Sequence, residues 1–179
     1  SNSEVGDQDG TKTSQKTEGT RNVDIDSASV IRSTVADLSA IIPLLEESGC
    51  HVNIRCKEIR LKAPNRLNRI DKIITQPYPG FPTDAQAPFT TLVCVARGTS
   101  VIVENIFESR FKHVPELIRM GAKIRMEGRV AVIDGVERLY GAEVVSPDLR
   151  GGAALVLAGL CADGVTTAAH NTGDLVQAL

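Results

Sequence analysis

The chain has 179 residues, a formal charge of −2 at pH 7 and 42% hydrophobic residues, one domain's worth of sequence with enough apolar surface for a substantial core. Near-zero charge gives no drive towards nucleic acid or an anionic membrane, and 3% aromatic content with no tryptophan offers no base-stacking platform. No apolar run approaches the roughly 20 residues of a membrane span, and the N-terminus has no hydrophobic signal core.

Residues 1–21 are polar, with Val5 as their one aliphatic side chain. They cannot offset their ordering entropy by burial, so they read as a flexible tail or an added leader outside the fold. The domain is expected over residues 22–179. Its first segment, VADLSAIIPLLEESGC, reads as an amphipathic helix that ends at Gly49, with Pro43 kinking it or delaying its start. A strand follows over His51–Arg55, then a turn at Arg55–Glu58 that lacks glycine or asparagine, then a second strand. The middle of the chain reads βαβαββ: a strand at Lys72–Thr75, a helix from about Asp84, a strand at Ser100–Glu104, a helix near His113–Met120 ending at Gly121, then two strands from Lys123. The pattern of proline, acidic residue, apolar helix, glycine and strand occurs in PTDAQAPFTTLVCVARGTS and again in PDLRGGAALVLAGLCADGV. Internal repetition of this length implies α/β units that bury their helices against one another.

Chemistry-bearing residues gather where loops enter helices. PGFPTDAQAPF, Pro79 to Phe89, holds three prolines and a glycine around Asp84, which makes it a stiff loop and neither strand nor helix. Asp84 has two open readings: Thr83 or Asp84 is a helix N-cap, or the loop aims the Asp84 carboxylate into a site. NIFESRFKHVPE carries Glu108, Arg110, Lys112 and His113 into the next helix, and SPDLRGG places Asp148 and Arg150 at the start of another. Helix starts and arginine forks suit phosphate or carboxylate, so two aspartates and two arginines at such ends could form one anion-handling cleft. Alternatively Asp148 only caps and Arg150 is solvated. The four cysteines (Cys50, Cys56, Cys94, Cys161) have no CxxC spacing, and no histidine has a metal-ligand neighbour, so no metal site is expected and a reduced cytosolic setting is. Cys94 and Cys161 fall on apolar helix faces and read as core; His51 and His170 read as surface, and His113 as part of a helix start.

Three segments, PYPGFPTDAQ, FESRFKHVPELIRMGA and GVERLYGAEVVSPDLRGGAALVLAGL, closely resemble the bacterial UDP-N-acetylglucosamine enolpyruvyl transferases, from about Val30 to Thr167. The related shikimate-phosphate enolpyruvyl transferases share that family's fold but not these motifs. The resemblance implies an inside-out α/β barrel domain built of repeated βαβαββ units, here about two units plus part of a third. It implies transfer of enolpyruvyl from phosphoenolpyruvate to the 3-hydroxyl of UDP-N-acetylglucosamine with release of phosphate, in the cytoplasm, for peptidoglycan synthesis, without cofactor or metal. Asp84 matches the aspartate that hydrogen-bonds the sugar hydroxyl and is the candidate base. Arg110 matches a catalytic-cleft arginine, Ile106 and Phe107 match nucleotide-sugar contacts, and Asp148, Leu149 and Arg150 match a D-L-R segment near phosphoenolpyruvate.

The departures from the family pattern are specific. The family's catalytic cysteine sits in a G-G-C-x-x-G-x-R-P loop of its other domain, and no cysteine here has that context. Its early lysine–asparagine pair is missing, AAHNTGDL stands where H-I-D-R-G-Y is usual, and Ser109 stands where asparagine is usual. The implied molecule is a fragment of the transferase, inactive by itself, whose partner is the missing domain. A non-catalytic nucleotide-sugar-binding or regulatory module of the same descent is the alternative, and a fragment without ligand is the third reading.

Overall fold

A computed structural model describes residues 29–31, 38–55, 58–170 and 175–178. The expected N-terminal tail, the first three residues of the first amphipathic segment and the middle of the Arg55–Glu58 turn lie outside the described residues. In chain order the elements are β1 (Ser29–Ile31), α1 (Ile42–Glu47), β2 (His51–Arg55), β3 (Glu58–Lys62), β4 (Lys72–Ile74), α2 (Gln86–Cys94), β5 (Thr99–Val103), α3 (Val114–Arg119), β6 (Lys123–Glu127), β7 (Val130–Asp134), β8 (Leu139–Tyr140), β9 (Glu143–Ser146), α4 (Leu149–Cys161), β10 (Ala162–Asp163), β11 (Thr166–His170) and β12 (Leu175–Ala178).

The expected βαβαββ run forms one mixed sheet in the order β4-β5-β7-β6. β4 and β5 are parallel, with α2 as their crossover, and β5, β7 and β6 are joined antiparallel. The remaining strands form sheets β1-β3-β2, β10-β8 and β12-β11-β9. β9 and β11 are parallel across α4, the arrangement the second proline–acid–helix pattern implies. Among the described residues no sheet closes on itself, so the observed architecture is an α/β fold of open sheets with helices packed against them.

Period-two alternation places Ile73, Ile102, Ile124, Ala131 and Ile133 on one face of the central sheet, all buried. Phe89 and Val93 of α2, Leu117 of α3 with Met120 just after it, and Leu155 and Ala158 of α4 cover that face as one cluster. α2 and α4 lie directly on each other, which explains why both are apolar nearly all round. The left-handed stops fall as the sequence implies, with φ of +93° at Gly49 and +95° at Gly121. Pro43 delays its helix: α1 begins at Ile42 with proline in its first turn and runs six residues. It buries none of them, so the alternation in β2 has little to bury against and Ile54 is 44% exposed.

Two features that packing demands were not legible in the text. A Cβ on Gly135 would stand 1.8 Å from the Ala96 carbonyl oxygen, so only glycine permits that backbone approach. The Arg66 guanidinium donates to the carbonyls of Val95 and Ala96, just past α2, and of Val136, supplying donors to carbonyls that the helix end leaves without intrahelical partners. Of the cysteines expected in the core, Cys94 is buried, and burial pushes its thiol up to about 12. Cys161 is exposed, contrary to the expectation, because it lies beside exposed Leu160 and off the Ala154–Leu155–Ala158–Gly159 stripe that α4 buries.

His113 holds the N-cap position of α3 without capping it. Its side chain is buried, its imidazole hydrogen-bonds the Arg110 backbone, and its Nε2 has no partner among the described residues. A Cβ on Gly151 would stand 2.8 Å from the Pro147 side chain and 3.3 Å from the His113 Cβ, so the glycine lets the first turn of α4 pack against both. Burial pushes the His113 pKa down to about 4, opposed by the nearby Asp148 carboxylate. The folded pKa lies below the unfolded value of 6.5, so this stability is fully present above that value and is lost as pH falls towards 4. Urea unfolding at pH 7.5 and pH 4.5 is expected to show the native chain losing roughly 2–3 kcal/mol more than His113→Gln. Equal losses in the two proteins would show that the imidazole is not held neutral.

Candidate functional site

Three loops converge, each leaving the C-terminal end of a strand that has a parallel neighbour and entering a helix: β4 to α2, β5 to α3, and β9 to α4. In open α/β sheets that end is where ligand crevices form.

The first loop is built by its prolines and aromatics. The Gly80 amide donates to the Pro77 carbonyl and the Gln76 amide to the Phe81 carbonyl, folding the chain back on itself. A Cβ on Gly80 would stand 2.4 Å from the Gln76 Cβ. Phe81 is buried edge-on against Phe89 of α2, with ring centroids 5.0 Å apart, and pins the loop to the core. A 3-10 turn over Thr83–Ala85 then leads into α2.

Neither Thr83 nor Asp84 caps this helix, which corrects the N-cap reading. The physical reason is the 3-10 turn. The Ala85 and Gln86 amides already donate to the carbonyls of Pro82 and Thr83, so those donors are satisfied without a side chain. The Thr83 hydroxyl instead donates to Glu104 Oε2 at 2.9 Å. The Asp84 side chain is 67% exposed and accepts a hydrogen bond from Arg150 Nε, while Arg110 Nη2 lies 3.9 Å from the same carboxylate oxygen.

Arg110 comes from the second loop. Its side chain is only 15% exposed, and its guanidinium carbon lies 4.3 Å over the Phe107 ring, a cation–π contact that flattens the fork against the site wall. Ile106 is half-buried and Phe107 is exposed. The amides of both donate to Glu104 Oε1, at 2.9 and 3.1 Å. That oxygen also accepts from the Thr75 hydroxyl at 2.8 Å, and Thr75 Oγ1 in turn accepts from the Asn105 amide. Glu108 takes no part in the cluster and pairs with Arg129 at 2.9 Å.

The third loop divides its residues. Asp148 is a true N-cap, accepting from the Gly151 amide at 2.8 Å. Leu149 stands out of the surface at 84% exposure, and Arg150 turns back to Asp84. The capping reading of Asp148 therefore holds, whereas Arg150, although 42% exposed, is paired with Asp84 and not left to solvent alone.

Of the sequence-derived candidates, Asp84, Arg110, Arg150 and Phe107 meet at one place with Ile106 on its wall, and Asp148 and Leu149 hold the adjoining helix start. Two guanidinium groups beside one exposed carboxylate can hold an anion and also accept a hydrogen bond from a hydroxyl. Sequence reading missed Glu104 and Thr75, and offered Thr83 only as a helix cap. A glutamate at the end of a β-branched strand, opposite threonines in two flanking segments, is the signal that could have found them. A separate depression lined by Glu46, Gly49, Cys50, His51, Val52 and Asn53 contains none of these residues and has no convergent cation. Among the described residues no group of three or more metal-ligating side chains comes together, and no helix is long and apolar enough to cross a membrane.

Comparison with known proteins gives the arrangement a lineage. Residues 18–172 match the family model described as EPSP synthase (3-phosphoshikimate 1-carboxyvinyltransferase). UDP-N-acetylglucosamine 1-carboxyvinyltransferase 2 of Caldanaerobacter subterraneus subsp. tengcongensis is 47% identical over 76% of this chain and 33% of its own length. UDP-N-acetylglucosamine 1-carboxyvinyltransferase of Synechococcus sp. is 52% identical over 74% of this chain and 30% of its own length. The crystal structure of the enolpyruvyl transferase NikO from Streptomyces tendae aligns with a TM-score of 0.66 at 27% identity, covering 74% of this chain and 31% of that one. EPSP synthase from Acinetobacter baumannii shares the fold, with a TM-score of 0.56 at 18% identity over 74% of this chain and 32% of that one. The chain thus spans about a third of the length of the curated relatives it matches, and over that span it belongs to the EPSP synthase family of enolpyruvyl transferases.

Proposed function

We propose that this chain is part of a UDP-N-acetylglucosamine 1-carboxyvinyltransferase. The whole enzyme moves enolpyruvyl from phosphoenolpyruvate to the sugar 3-hydroxyl and releases phosphate, a cytoplasmic step of peptidoglycan synthesis. The observation that carries this reading is the meeting of Asp84, Arg110 and Arg150 from three different loops at one carboxylate. Relatives of that name at 47% and 52% identity support the substrate assignment.

In this reading Asp84 accepts the hydrogen bond of the sugar hydroxyl and takes its proton as general base. Arg110 and Arg150 hold anionic oxygens of phosphoenolpyruvate and of the departing phosphate. The Ile106–Phe107 wall and Leu149 contact the nucleotide sugar, and Asp148 keeps Arg150 in place by fixing the first turn of α4. The acid that protonates the enol carbon and the second wall of the cleft come from the other domain, which is the partner of this one. The sheets described here form part of an inside-out barrel of repeated βαβαββ units, about two and part of a third.

The 179-residue chain without that partner is expected to release no phosphate from phosphoenolpyruvate and UDP-N-acetylglucosamine above buffer. It lacks the cysteine loop, and acid–base help alone is worth ~10²–10⁴-fold. Release above a dead-variant control would show that the chain carries a complete site.

Half a cleft keeps contacts while losing preorganisation. Titrating the labelled chain with UDP-N-acetylglucosamine to millimolar concentration should therefore shift amides at Asp84, Ile106 and Phe107. A titration that moves none of them favours a fragment without ligand and removes the substrate assignment.

In a full-length transferase carrying this segment, Asp84→Asn should lower turnover by ~10²-fold or more, with a smaller effect on substrate binding. Asp84 is exposed and caps nothing, so the melting temperature should barely change. Near-normal turnover would remove Asp84 as the base.

A further inference from the structure

We propose that Glu104 is the positioning residue of this site: its carboxylate fixes the Asp84 turn and the Ile106–Phe107 backbone at one separation. Glu104 directly follows β5 and is 1% exposed. A buried carboxylate must be met by donors, and all four of those it finds are uncharged. Oε1 takes the Thr75 hydroxyl and the amides of Ile106 and Phe107, and Oε2 takes the Thr83 hydroxyl. Thr83 immediately precedes the residue that meets both arginines, while Ile106 and Phe107 lie in the loop that supplies Arg110. One side chain therefore ties two of the three converging loops. A carboxylate suits this role because it offers about four acceptor sites and requires no donor in return, so every contact is a tether of the same sign. The Thr75 hydroxyl, which donates to Glu104 and accepts from the Asn105 amide, shares in this link between the two loops.

The tethering of the two loops stands on these contacts alone, whereas the use of their fixed separation for a nucleotide sugar rests on the proposed function. The test uses the isotope-labelled 179-residue chain and reads the Arg150 Nε–H resonance and the amides of Ile106 and Phe107, first free and then with UDP-N-acetylglucosamine. Glu104→Leu keeps the volume and removes all acceptors. Glu104→Gln keeps an oxygen for Thr75, Ile106 and Phe107 and turns an amide donor to the Thr83 hydroxyl, which can accept. Thr83→Val cuts only the Asp84 side.

Glu104→Leu is expected to move the Arg150 Nε–H resonance to that of a solvated arginine and to shift the Ile106 and Phe107 amides upfield. It should weaken UDP-N-acetylglucosamine binding by about tenfold, the factor that one charge-assisted hydrogen bond carries. Glu104→Gln should restore these signals, a rescue that a general loss of packing would not give. Thr83→Val should move the Arg150 resonance and leave the two amides in place. An Arg150 resonance unchanged in both Glu104→Leu and Thr83→Val overturns the proposal, and if Glu104→Leu does not fold, Thr83→Val decides alone. A native chain that shows no shifts with the nucleotide sugar sinks the substrate reading, whereas the Arg150 resonance still decides the positioning role.

Discussion

A carboxylate removed from water at the end of a strand has to be supplied with hydrogen-bond donors, and the place of Glu104 determines where they come from. It follows the last residue of β5, whose parallel neighbour β4 brings Thr75 to its side. The chain leaving β4 folds back through the proline loop and delivers Thr83 to the second oxygen. The chain leaving β5 turns at once, so the amides of Ile106 and Phe107 point at the carboxylate behind them and that of Asn105 at the Thr75 hydroxyl. The sheet register, the loop and the turn are thus parts of one arrangement. Parallel pairing is what makes it possible, since it sends both loops out of the same end of the sheet.

Beneath that arrangement the helices are held by contacts that leave little freedom. α2 and α4 pack together, α2 is finished by the Arg66 fork, and the first turn of α4 settles against Pro147 and His113 because residue 151 has no side chain. Arg150 leaves that first turn, so its reach to Asp84 is set by how closely α4 can approach α3. A buried neutral imidazole and the glycine that follows Arg150 in the chain are consequently part of the support of that arginine.

Much of the fold is readable because it depends on local periodicity. Lys123–Glu127 alternates, Gly121 stops a helix, and Asp148 stands before an apolar run; each of these needs only neighbouring residues to act. What is not readable depends on partners far along the chain. Arg66 looks like an ordinary surface arginine until Val136 is placed beside it, and Glu104 looks like a strand end until Thr75 and Thr83 arrive. The capping expectation at Asp84 fails for a related reason. PTDAQ satisfies every local rule for an N-cap, but a 3-10 turn feeds its amides to backbone carbonyls and frees the carboxylate for Arg150, 66 positions later. Candidate residues at the site were legible through family resemblance and loop-to-helix placement. Their support was not, because it is made of threonines and main-chain amides that carry no pattern of their own.

The two carboxylates differ most in their contact with solvent, and this divides the site by ionic strength. The Asp84 side chain is 67% exposed, and its attraction to Arg110 and Arg150 crosses water-accessible space. Counter-ions at physiological concentration, with a screening length of about 8 Å, weaken such an attraction and compete for the same guanidinium donors. Glu104 is sealed from those ions and is held by neutral dipoles at hydrogen-bond distance. Added salt therefore loosens the charges that face outward while leaving the frame that carries them unchanged, so the polar contents of the site and their mount belong to different electrostatic regimes.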